Sequence, residues 1–155
     1  MQAGGKDVID TKLDFSGLMD LSDDLNALSK AENRKVMRDA TRAAATVFQD
    51  EVIKRAPVRT GKLKKNIVVM TQRTRNGDIS SGVHIRGTNP RTGNSDSKLK
   101  TKDSRNAFYW RFVELGTSNM SAIPFVRPAY DARQEEAANA AFARANQAID
   151  EALSK

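Results

Sequence analysis

"YWRFVELGTSNMSAIPFVRPA", residues 109–129, gathers aromatic rings, one carboxylate, a Gly-Thr turn and two prolines into a chain that is otherwise very polar. Phe108, Trp110 and Phe112 alternate with Tyr109, Arg111 and Val113, the period-2 pattern of a β-strand whose two faces differ. Both faces carry aromatic or aliphatic groups, so the pattern predicts a central strand that ends at Gly116. Each aromatic ring buries roughly 150–250 Å², which makes this segment the main supplier of core area. Beyond the turn, the prolines of "IPFVRPA" force an extended connector, and Pro128 suits the first turn of a final helix. The segment therefore sets the angle between a sheet and a C-terminal helix.

Upstream, Asn76-Gly77 separates two β-prone runs, Ile67 to Gln72 and Ile79 to Arg86, and predicts a hairpin closed by a two-residue turn. Residues 32–55 place Val36, Met37, Ala40, Ala44, Val47, Phe48 and Val52 at spacings of three and four, the stripe of a long amphipathic helix that Pro57 stops. Thr60 can cap one further turn through Lys64. "SDDLNALS" has a Ser22 cap, two acids and the Leu25/Leu28 pair of a short helix. After Pro128, Ala138, Phe142, Ala145, Ile149 and Leu153 form the stripe of the last helix. Residues 1–21 read as a mobile or partner-ordered arm, and 22–155 as a single domain. Within it, 88–106 has neither periodicity nor apolar content and reads as a long basic loop. The expected class is α+β: a small antiparallel sheet, hairpin plus central aromatic strand, packed by a long N-terminal helix and a C-terminal helix.

At 155 residues, one core suffices. A hydrophobic share of 39% beside 29% charged residues is lean, which favours a domain that completes its burial against partners. With no cysteine and only His84, disulfide frameworks, thiolate chemistry and Cys- or His-rich metal sites are excluded, and the chain suits a reducing cytoplasm. The sequence reads as neither membrane-spanning nor led by a signal peptide. The net charge of +7 is unevenly spread. From Lys54 to Arg111, fifteen basic residues meet three acids, a local +12, whereas the remainder has eleven basic and sixteen acidic residues, or −5. That division suits either a polyanion partner or copies of the chain meeting head to tail.

Two motifs stand in order along the chain. "APVRTGKLKKNI" at 56–67 and "YWRFVELGTSNMSAIPFVRPA" together resemble the tail-component family of lambdoid and other long-tailed bacteriophages over about residues 32–150. The family's pattern falls on Ala56, Pro57, Thr60, Gly61 and Leu63, then on Tyr109, Val113, Glu114, Gly116 and Thr117, then on Pro124, Phe125, Pro128 and Ala129. The resemblance implies a structural virion protein, made in the host bacterial cytoplasm, that forms a ring of six copies. It also implies a place at the neck/tail junction, where the ring completes the tail and joins it to the head. The partners it implies are the chain itself, the neck or connector, the tail terminator and the tail-tube proteins.

Candidate interface or motif residues are accordingly Pro57, Arg59, Thr60, Gly61, Leu63, Tyr109, Glu114, Gly116, Thr117, Pro124, Phe125, Arg127 and Pro128. Glu114, lying among aromatics, needs a partner such as Arg127 or Arg59, within the chain or at a subunit interface. Arg91, Lys98, Lys100, Lys102 and Arg105 are candidates for contact with DNA or with an acidic protein. A small basic nucleic-acid-binding module is the competing reading. His84 reads as a solvated strand residue. No Ser-His-Asp order, paired acids or Gly-rich phosphate loop presents itself, so neither catalytic residues nor a cofactor is expected.

Overall fold

The computed structural model describes residues 16–87 and 102–154. In chain order they form α1 (Ser16–Asn26), α2 (Lys30–Arg55), α3 (Lys62–Lys65), β1 (Ile67–Arg73), β2 (Ile79–Ile85), α4 (Trp110–Leu115) and α5 (Val126–Leu153). The class is α+β, with a two-stranded antiparallel sheet packed against the long α2 and with α5 beside it. The first residues of the expected arm, 1–15, and most of the expected loop, 88–101, lie outside the described residues. Helix α1 begins six residues before the Ser22 cap that the sequence suggested.

Helix α2 opens on a reciprocal cap. The Glu32 N–H donates to Ser29 Oγ at 3.2 Å, and the Ser29 N–H donates to Glu32 Oε2 at 2.9 Å. Two N–H groups without intrahelical acceptors are thereby satisfied. The helix closes at Ala56, whose ψ of 132° is the extended geometry that the following Pro57 imposes. Lys54 and Arg55 occupy its last turn, where the helix dipole favours cations.

α2 and α5 run antiparallel. Val36 and Ala40 pack with Ala145, Ala148 and Ile149 at one end, where Leu28 and, from α1, Leu21 and Leu25 cover them. Val52 and Ala56 pack with Phe125 and Ala129 at the other end, together with Leu63, Ile67, Ile85 and Ala107. Between the two helices Arg144 reaches Asp39 at 2.9 Å, Arg133 reaches Glu51 at 2.9 Å, and Phe48 stacks on Tyr130 with ring centroids 4.2 Å apart. Glu51 is buried and also accepts from Arg55 at 2.7 Å, so hydrogen bonds from two guanidinium groups hold its carboxyl below the usual range. The stripe on α5 is centred on Ala137, Ala145, Ala148 and Ile149, and Leu153 is 56% exposed.

β1 and β2 pair from Ile67↔Ile85 to Arg73↔Ile79. Ser81 Oγ lies 2.9 Å from Thr41 Oγ1 and 2.8 Å from Thr71 Oγ1, tying the hairpin to α2. The hairpin turn is longer than the two residues expected. The Gly77 N–H donates to the Thr74 carbonyl at 3.0 Å, the Thr74 N–H donates to the Asp78 carbonyl at 2.8 Å, and Gly77 sits at φ +93°. This is a type I turn followed by a glycine bulge.

The expected aromatic strand is a helix. Among the described residues the sheet has two strands only, and Trp110–Leu115 form α4. Over six residues an alternating aromatic run also satisfies i, i+3 and i+4 spacing. As a helix, this run turns Tyr109, Trp110 and Val113 onto the Val52/Phe125 core and leaves Phe112 and Leu115 outside.

Gly116 ends α4 with φ +75° and ψ 173°, a region only glycine occupies readily. A Cβ there would lie 2.8 Å from the Ala122 N and 3.0 Å from the Met120 O. Gly61 also has a positive φ, +77° with ψ −5°, but a Cβ there would meet nothing within 4 Å. Gly116→Ala is therefore expected to cost about 3 kcal/mol in urea denaturation and Gly61→Ala about 1 kcal/mol. Equal losses would contradict the crowding assigned to Gly116.

Candidate functional site

Helix α5 receives its N-terminal cap from another helix. Its N-terminal flanking residue, Phe125, makes no side-chain cap. Instead the Glu114 carboxylate of α4 accepts three backbone N–H bonds. Phe125 and Val126 donate to Oε2 at 2.7 and 3.0 Å, and Arg127 donates to Oε1 at 3.0 Å. A negative charge is thus held on the positive end of the helix dipole while satisfying donors that lack intrahelical acceptors. The partner expected for Glu114 was a guanidinium of Arg127 or Arg59. It is the helix N-terminus, and Arg127 contributes only its main chain, its guanidinium standing 3.5 Å from Asp131.

This bond closes the Gly116–Phe125 connector on itself. The Ile123 N–H donates to the Val113 carbonyl at 2.8 Å, and the Thr117 N–H to the Met120 carbonyl at 2.8 Å. The connector then stands opposite the turn formed by "APVRTGKL". Between them lies an open groove of about 570 Å³, lined by residues 57–63 on one side and by Tyr109, Phe112, Val113, Met120 and Ile123 on the other. Its walls carry large apolar groups in contact with solvent: Val58 is 66% exposed, Phe112 53% and Ile123 53%. Arg59 and Lys62 supply its cations, and no carboxylate lines it among the described residues. Burial pushes the Tyr109 phenol above its usual pKa, with the Arg59 charge opposing that rise. An apolar patch of this kind, edged by charge, suits protein contact rather than chemistry on a small substrate. A second depression of about 330 Å³ lies on the other side of α4, between Trp110, Leu115, Val126 and Tyr130, where Leu115 is 77% exposed.

The residues singled out in the sequence fall into three groups. Pro57, Arg59, Thr60, Gly61, Leu63 and Tyr109 come together in the groove. Glu114, Phe125, Arg127 and Pro128 meet at the start of α5, although Phe125 is fully buried in the core and presents no surface. Gly116, Thr117 and Pro124 shape the connector between them. Of the basic set, Arg91, Lys98 and Lys100 lie outside the described residues. Lys102 is exposed, and Arg105 binds Asp103 through both its main-chain and its guanidinium nitrogens. His84 is half-buried on β2 opposite Val68. No cluster of His, Cys, Asp and Glu able to hold a metal occurs among the described residues.

Val58, Phe112, Met120 and Ile123 were not singled out as site residues. The available signal was their position: large apolar side chains beside Pro57, Gly116 and Pro124, where the chain turns and cannot bury every side chain it carries.

Two outcomes follow for the side chains that shape this region. Glu114→Ala is expected to lower stability by about 2–3 kcal/mol, and Glu114→Gln by roughly half as much because one acceptor oxygen remains. Urea denaturation measures both, and an unchanged midpoint for the alanine variant would refute the cap. Arg105 holds the Asp103 carboxyl down at about 2 from an ordinary 3.8. Its contribution to stability is complete above pH 3.8 and is lost as pH falls through about 2, so Asp103→Asn should flatten the acid limb of the stability profile in that window.

Neither the curated proteins nor the solved structures contain a significant match to the chain. A family model does match, over residues 19–116, with the description "Bacteriophage HK97-gp10, putative tail-component". The matched span runs from α1 to the glycine that ends α4, well over half of the chain, and it includes the residue that caps α5. On that match the chain belongs to the HK97-gp10-like family of bacteriophage tail components, structural proteins associated with the virion.

Proposed function

We propose that the chain assembles into a closed ring of six copies at the junction between the neck and the tail, where it completes the tail and joins it to the head. The observation that carries this reading is the groove. Its walls place Val58, Phe112 and Ile123 in solvent around a volume of about 570 Å³, while the helical body beside it is sealed by Phe125, Ala129 and Val52. An isolated domain gains nothing from that arrangement, but a subunit meeting a different surface of its neighbour does. Contacts between unlike surfaces generate rings when the rotation closes.

The work of such a ring is geometric. The α2–α5 pair and the hairpin make a stiff body, the groove end faces a neighbouring copy, and the basic segment 88–106 reaches the neck or connector, the tail terminator, the tail-tube proteins or the DNA in the channel. No residue is assigned a chemical step.

Replacing exposed groove residues by aspartate tests this. Burial of one large apolar side chain is worth roughly 1.5–3 kcal/mol, so Phe112→Asp or Ile123→Asp should weaken self-association ten- to hundredfold or more. Light scattering of the purified chain, alone and with neck and tail proteins, reads the assembly, and circular dichroism confirms the fold. Assemblies that form equally well with either variant would remove the groove from the interface. A chain that stays monomeric with every candidate neighbour yet binds duplex DNA with a steep salt dependence would replace the ring by a nucleic-acid-binding role.

A further inference from the structure

We propose that the groove between α3 and α4 receives residues 7–15 of a second copy of this chain, an inference that rests on the ring reading above. The groove specifies its occupant chemically. Its apolar walls are Val58, Phe112, Met120 and Ile123, its charges are those of Arg59 and Lys62, and Lys64 and Lys65 follow on α3. The complement is a segment that interleaves large apolar side chains with carboxylates.

The chain carries one such segment outside the described residues. "DVIDTKLDF", residues 7–15, holds Val8, Ile9, Leu13 and Phe15 among Asp7, Asp10 and Asp14, with Lys12 as its only cation. Over residues 1–28, six aspartates face Lys6 and Lys12, a net charge of −4. The next apolar-acidic stretch, α1, is already committed, with Leu21 and Leu25 packed on the cluster formed by Leu28, Val36, Ala145 and Ile149.

Position favours a second copy over the same one. α1 packs at the Val36–Ala40 end of α2, whereas the groove begins beyond the other end, after Ala56. The two are separated by about 30 Å along the helix axis. Phe15 adjoins α1 directly and Leu13 stands three residues before it, within about 10 Å of Ser16, so the segment falls short of the groove of its own copy. A segment rooted at one end of each copy and a receptor at the other make a contact between unlike surfaces, and its repetition builds a ring without a further interface.

The chain has no cysteine, so introduced thiols report one contact at a time. Full-length Leu13→Cys and Val58→Cys variants carrying different tags are mixed and oxidised, with Leu13→Cys plus Arg75→Cys at the hairpin turn as the control. The mixed disulfide is expected to exceed the control on the order of tenfold, because seating the segment raises the local thiol concentration. Arg59→Glu with Lys62→Glu in the Val58→Cys chain should lower the yield about tenfold, and Asp10→Lys with Asp14→Lys in the other chain should restore it. Light scattering on the same samples separates the two ideas. Oligomers without excess cross-linking overturn this contact and leave the ring standing, whereas a monomer that does not cross-link overturns both. An intrachain disulfide in the Leu13→Cys/Val58→Cys double variant, at a dilution where the mixture stays uncross-linked, seats the segment in its own groove and also overturns the proposal.

Discussion

One carboxylate determines how the two halves of this fold meet. Glu114 accepts the N–H groups of Phe125, Val126 and Arg127 from as many as thirteen residues upstream, so the last helix begins where the short α4 allows it to begin. Helix α5 has no side-chain cap of its own, and its first turn contains Pro128, which fits there because it has no N–H to satisfy. Three consecutive constraints follow from that bond. Phe125 is driven into the core beside Val52 and Ala129, the connector closes through Val113 and Ile123, and the closed connector becomes a wall of the groove. Interior stability and surface shape are consequences of the same contact.

The remaining frame is a pair of long helices with little bulk between them. Alanines dominate the buried positions of α5, with Ala129, Ala137, Ala145 and Ala148 against one isoleucine. Small side chains allow close approach but bury little area each. Ion pairs fill part of that deficit in specificity: Asp39–Arg144 and Glu51–Arg133 lie between the helices and set their antiparallel register. Paired charges of this kind contribute less to net stability than to choosing one alignment over its neighbours. Phe48 stacked on Tyr130 adds an aromatic clasp near the groove end.

What could be read from the residues depended on range. Elements set by neighbours in sequence were legible: α2 stops where Pro57 forbids helix, the hairpin lies where its β-prone runs suggested, and Pro128 marks the start of α5. The capping box of Ser29 and Glu32 is equally local and starts α2 two residues before the 32–55 span that the apolar stripe suggests. The single turn after Thr60 was legible too, as α3, but the type of the short aromatic element and the three-dimensional partners were not. The run from Phe108 to Val113 is too short for alternation to exclude a helix, and of the stripe expected on α5 Ala145 and Ile149 are buried, Ala138 and Phe142 half-buried and Leu153 exposed. Glu114 was rightly expected to need a partner, but a backbone helix terminus leaves no mark in a list of charged residues. The groove shares that invisibility, since Val58 and Ile123 become neighbours only after the connector folds back.

Gly87 and Ala107 carry a consequence of another kind. The Ala107 N–H donates to the Arg86 carbonyl at 2.9 Å, and a Cβ on Gly87 would lie 2.9 Å from the Phe108 N. Arg86–Gly87 and Ala107–Phe108 therefore meet at a closed junction. Loop closure costs only about 0.6 kcal/mol more for each doubling of length, so a junction of this kind tolerates large changes in the length of chain that it closes. The junction therefore acts as a socket: changes in the length or composition of the chain between Gly87 and Lys102 are expected to leave the helices, the hairpin and the groove in place.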